Sequence, residues 1–116
     1  MHERARFGRA GEESAAELYR RDGFVVERNF RAGRIEVDLV AYRPGLVVFC
    51  EVKTRATDRW GLPAEAVGYQ KQARIRRAAA AWLAARSPGP VEVRFDVVSA
   101  IVANGRTQLT HIPNAF

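Results

Sequence analysis

The chain is poor in cysteine and lysine, and it has no apolar run approaching the roughly 20 residues that a membrane span requires. Its one cysteine, Cys50, cannot close an intramolecular disulfide, and a single thiol outside a His/Cys cluster makes no zinc site. The first residues place Arg4, Arg6 and Arg9 around Phe7 and lack the apolar stretch of a signal peptide. A cytoplasmic protein without a membrane association is the expectation. Of the 19 basic residues only Lys53 and Lys71 are lysine; the others are arginine. An ammonium is a compact charge on a flexible stem and a guanidinium is a broad planar fork, so a site that needs a point charge cannot exchange them freely.

What is present is ordinary for a globular chain. A length of 116 residues suits one domain, 1–116, with one core. The composition, 47% hydrophobic and 28% charged, lies far from that of disordered chains. The net charge of +6 favours polyanions, nucleic acid first, over neutral metabolites, although a basic surface also serves plain solubility.

Apolar periodicity predicts a helix from Arg6 to Arg21 with Phe7, Gly11, Ala15 and Leu18 on one stripe, ended by Gly23. Phe24–Phe30 and Ile35–Tyr42 read as strands separated by a turn near Ala32 and Gly33. Pro44-Gly45 is the next turn and Leu46–Lys53 the third strand. Thr54–Pro63 is a loop, Ala64–Arg86 a long helix, and Ser87-Pro88-Gly89-Pro90 breaks it. Val91–Val102 alternates as a strand, and Asn104-Gly105 signals a hairpin to a last strand ending near Ile112. The order α-β-β-β-α-β-β implies an α/β fold with a mixed sheet flanked by helices, the third and fourth strands being parallel.

With Pro44 and Gly45 at the centre of a two- or four-residue turn, partners across the hairpin have numbers that sum to 89; a three-residue turn would slip this register. Asp38 then faces Glu51 and Glu36 faces Lys53, all on one side of the sheet. The other side carries Ile35, Val37, Leu39 and Ala41 against Leu46, Val48, Cys50 and Val52. Two facing carboxylates beside a core repel and resist desolvation, and Mg²⁺ or Mn²⁺ is the simplest remedy. A Glu36–Lys53 ion pair with Asp38 solvated is the plainer alternative.

These residues resemble the restriction-endonuclease-like PD-(D/E)XK superfamily and, within it, the YraN-like bacterial proteins. The matching positions are Gly8, Gly11-Glu12, Ala15, Asn29, Glu36-Val37-Asp38-Leu39, Glu51-Val52-Lys53-Thr54-Arg55, Gly61, Val67, Lys71 and Arg94-Phe95-Asp96-Val97-Val98. Ile35 departs from the pattern, standing where the family usually has Gly. The resemblance implies a nuclease-type fold with an α-β-β-β-α-β core. It implies Asp38 and Glu51 as catalytic metal ligands, Glu12 completing the site, and Lys53 as the catalytic lysine. Metal-dependent endonuclease activity on DNA, branched or junction DNA included, or on RNA follows as the expected function. A nucleic-acid-binding domain without turnover and a protein-interaction domain of a DNA-processing complex are the alternatives, and homodimerisation is left open.

Lys71 shares a helix stripe with Val67, Ile75, Ala78 and Trp82, which turns it toward the sheet, where it and Glu36 are auxiliary candidates. Arg55, Arg59, Arg74 and Arg77 are the candidate phosphate contacts, and Trp60 could stack on a base. Cys50 reads as a core thiol and Asp96 as structural. His2 and His111 show no partner and receive no role.

Overall fold

Every stretch read as a strand is one. The computed structural model describes residues 2–56 and 67–116, with side chains from Gly8 onward. The elements are α1 (His2–Arg21), β1 (Val25–Ala32), β2 (Ile35–Arg43), β3 (Leu46–Arg55), α2 (Tyr69–Arg86), β4 (Glu92–Ala103) and β5 (Arg106–Ile112). Asp58, Arg59, Trp60, Gly61, Pro63 and the first expected residues of the second helix, 64–66, lie outside the described residues. Among those that are described, no helix is long and apolar enough to cross a membrane.

The five strands stand in sequence order, antiparallel throughout except for the parallel pair β3–β4, which α2 bridges. Turn chemistry sets these registers. Asn104 and Gly105 both take positive φ, 54° and 73°, as a primed two-residue hairpin turn demands. Gly45 has φ 83° after Pro44, the combination a type II turn requires. That turn fixes Arg43 opposite Leu46 and so every pair down to Leu39 opposite Cys50, on the expected sum of 89.

Helices cover both faces of the sheet. Ala15, Ala16 and Tyr19 of α1 pack with Phe24, Leu39, Ala41, Val48, Cys50 and Val98. Gly11 lets α1 come close to the sheet: a Cβ there would collide with Thr54 Oγ1 and press on Ala100. Ile75, Ala78, Ala79 and Trp82 of α2 pack with Val37, Val40, Val47, Phe49, Val67 and Val97, with Ile35 against them. Strict alternation places Ile35 and Val37 with Leu39; the structure corrects this and sets both on the α2 face. The chain changes face between Val37 and Leu39, next to the acids.

Asp96 ties the far ends of the chain together. It is fully buried and accepts hydrogen bonds from Tyr19 Oη (2.6 Å), Arg94 Nε and Nη2 (2.8 and 3.0 Å) and the Asn114 N–H (2.9 Å), with His111 Nε2 at 2.8 Å. His111 therefore has a partner after all, one that lies 15 residues away on the adjacent strand and that no local pattern announced. Burial alone would push the Asp96 carboxyl up, but the bonds from His111, Arg94, Tyr19 and Asn114 outweigh it and hold it well below the usual carboxylate range. A depressed folded pKa gives stability that is present above the unfolded value, near 4, and is lost as pH falls beneath it. Asp96→Asn is therefore expected to cost about 3 kcal/mol at pH 7, with the deficit shrinking below about pH 4, as read by denaturant unfolding of both proteins at pH 7 and pH 3.

Candidate metal and nucleic-acid site

The sheet forks where the acids stand. One step beyond the Leu39–Cys50 pair, the same register puts Asp38 opposite Glu51, but the backbone ladder between β2 and β3 ends there. Asp38 Oδ2 takes the Val52 N–H instead, at 2.8 Å. From this point β2 stays with β1, through Phe30–Val37 to Ala32–Ile35, and β3 stays with β4 through Arg55–Ile101. The position on β1 opposite Asp38 is Asn29, which sits between the Arg28–Leu39 and Phe30–Val37 pairs with φ 56°. Asparagine is among the few residues that tolerate this left-handed conformation, and an irregularity of this kind in a strand re-aims the side chains around it. Here it accounts for the change of face at Val37.

The fork gathers charge. Glu51 is buried, 3% exposed, with Oε2 2.9 Å from Lys71 Nζ and Oε1 buried without a hydrogen-bond partner among the described residues. Burial, then the neighbouring Glu51, pushes the Asp38 carboxyl up to about 7, against the opposing pull of the Val52 N–H. Burial and then Lys71 lower the Lys53 ammonium, while the bond to Glu51 raises that of Lys71 in spite of its burial. The chain's two lysines thus meet at one place, where two carboxylates also meet.

Glu12 approaches from α1. It is half-buried, and burial followed by the charge of Asp38 raises its carboxyl above the ordinary value. Its Oε1 is held by Arg28 Nη2 at 3.3 Å, and Arg28 Nη1 also binds Glu13 at 2.6 Å. Glu36 does not meet Lys53: beyond the fork the β2–β3 register no longer operates, and Glu36 pairs at 2.8 Å with Arg31, its cross-strand neighbour on β1. Arg28 is not among the residues the sequence singles out, although alternation along β1 places it on the α1 face with Val26.

Asp38 and Glu51 come together with Lys53 and Lys71; Glu12 stands beside them in the grip of Arg28. Among the described residues no three His, Cys, Asp or Glu side chains are grouped closely enough to hold a metal ion. The donor set still suits a hard divalent cation, which takes one or two carboxylates and completes its shell with water and phosphate oxygens, and the unpartnered Glu51 Oε1 is such a donor. Arg74 and Arg77 are exposed on α2, and Arg55 ends β3. A groove of about 690 Å³ lined by Glu13, Glu17, Leu18, Asp22 and Leu109 contains none of these residues.

The model of the family described as Uncharacterised protein family UPF0102 matches residues 11–100, a span holding Glu12, Asp38, Glu51, Lys53 and Lys71. The chain belongs to this family. UPF0102 is the YraN-like, restriction-endonuclease-like group, and the α-β-β-β-α-β-β order found here is compatible with that core. A UPF0102 protein of Symbiobacterium thermophilum is 43% identical over 113 residues, 96% of each chain. One of Frankia alni is 43% identical over 120 residues, covering 100% of this chain and 98% of its own. One of Syntrophomonas wolfei is 42% identical over 107 residues, 91% of this chain and 93% of its own.

A raised folded pKa gives an acid stability that is present below its unfolded pKa and lost as pH rises through the folded one. For Asp38 that window runs from about 4 to about 7. In a chelating buffer the wild type is expected to lose stability across it, whereas Asp38→Asn, which keeps a carbonyl oxygen for the Val52 N–H, stays level and is the more stable protein at pH 8. Urea unfolding at pH 5 and pH 8 checks this, and equal pH dependence in the two proteins would refute the assignment.

Proposed function

We propose that the chain is a metal-dependent nuclease that hydrolyses phosphodiester bonds in nucleic acid, DNA first, junction and branched forms included. One observation carries the reading: a buried carboxylate oxygen without a partner among the described residues, Glu51 Oε1, stands beside a second carboxylate at the point where the sheet opens. Such an atom costs free energy unless a ligand meets it. Asp38 and Glu51 would hold Mg²⁺ or Mn²⁺, with Glu12 in reserve should Arg28 release it. When bound, the ion supplies Lewis-acid stabilisation of phosphate charge and a water of lowered pKa.

The chain's own residues supply the rest. Asp38 is anchored by the Val52 N–H, so its carboxylate keeps one orientation. Lys53, half-buried, brings a compact charge to the same place and orients the attacking water or neutralises the phosphate. Arg74 and Arg77 on the outer face of α2, with Arg55 and Arg59, would track the phosphate backbone, which gives affinity without base reading. A second reading, nucleic-acid binding without turnover, is favoured by the Lys71–Glu51 ion pair, since two lysines already balance two carboxylates.

The test is a cleavage screen over duplex, single-stranded and junction DNA and RNA in Mg²⁺, Mn²⁺ and chelator. Cleavage is expected with metal and none with chelator, and Asp38→Asn is expected to abolish it. Lys53→Arg should retain stability and metal binding while losing about a hundredfold in rate, because a displaced charge near 1 Å out of position has that effect. Salt-sensitive binding to nucleic acid without cleavage under any condition would establish the second reading instead.

A further inference from the structure

A carboxylate as far from water as Glu51 needs a cation. Lys71 is that cation, and it meets one oxygen while leaving the other bare. Its side chain is 39% exposed and springs from the third residue of α2, so the ammonium reaches Glu51 from the rim and has a way back to water. Lys53 stands in the same neighbourhood: burial and then Lys71 lower its ammonium, and both amines feel the same two carboxylates, Glu51 and Asp38. A divalent ion entering beside Asp38 and Glu51 would find an ammonium already at one of its ligands, and like charges at that distance repel strongly.

We propose that Lys71 is a built-in stand-in for the divalent cation: it neutralises Glu51 while the metal is absent and yields that carboxylate when the metal enters. The inference rests on the metal-dependent reading above and adds an exchange of cations at one carboxylate. The exchange sends the ammonium of Lys71 toward the mouth of the fork, where an incoming phosphate would meet it. It also makes the two effects of losing Lys71 opposite in sign. The metal-free protein is weakened, because Glu51 is left buried and uncompensated, while metal binding is strengthened, because its competitor is gone. A purely structural lysine would weaken both, and a lysine that only touches substrate would change neither.

Melting temperature and Mn²⁺ calorimetry on wild type and Lys71→Met read both effects. In chelator the variant is expected to melt roughly 5 °C or more below wild type, and Mn²⁺ should close that gap. The Mn²⁺ dissociation constant should fall about tenfold. Lys71→Met/Glu51→Gln has no buried charge to neutralise and should regain most of the loss without Mn²⁺, which keeps the test readable if the single variant does not fold in chelator. Unchanged melting of Lys71→Met in chelator, or Mn²⁺ binding no tighter than wild type, would overturn the exchange while leaving the metal site standing. Mn²⁺ binding to neither protein would overturn the metal reading and the exchange with it.

Discussion

The charge of Glu51, set 3% exposed among apolar strands, is the constraint around which the rest of the site is arranged. A carboxylate in that position is tolerated only with a cation at hand, and breaking a buried pair by removing one partner typically costs about 3–5 kcal/mol. Lys71 answers one oxygen, and the proximity of Asp38 compounds the demand. A fold selected for stability alone would have put a valine there, as it does at Val47 and Val97 nearby. Two acids and two amines gathered where β2 leaves β3 are the groups on which the proposed metal chemistry rests.

The fork in the sheet exposes these groups without dissolving the core. Asp38 captures the Val52 N–H that a ladder would have used, so that donor stays satisfied where β2 leaves β3. On the other side, left-handed Asn29 breaks the β1 register for one residue and lets it resume at Phe30–Val37. β2 therefore changes face at the acid, and Val37 crosses to pack under α2. The arrangement keeps Asp38 between the α1 side, where Glu12 lies, and the α2 side, where Lys71 lies.

Much of this was legible in the sequence because it follows from local rules. Pro44-Gly45 and Asn104-Gly105 have few conformations open to them, and the first of these turns fixes the register that sets Asp38 opposite Glu51. The helical period alone turned Lys71 toward the sheet, and its bond to Glu51 agrees. What escaped was non-local or irregular. Alternation assumes an unbroken strand, so it misplaced Ile35 and Val37 and paired Glu36 with Lys53, where Arg31 is the actual partner. The Tyr19–Asp96–His111 cluster joins α1, β4 and β5 across 77 and 15 residues of chain, and no spacing in the sequence reports it. The family resemblance supplied Glu12, but only the structure shows it held by Arg28.

The proposed nuclease chemistry stands on a divalent cation held at the fork by Asp38 and Glu51. Anomalous diffraction from crystals soaked in Mn²⁺ tests it most directly. A peak is expected about 2 Å from an Asp38 carboxylate oxygen and from Glu51 Oε1, with Lys71 Nζ withdrawn from Oε2. A fully soaked crystal with no peak at the fork, and Lys71 still bound to Glu51, would contradict it.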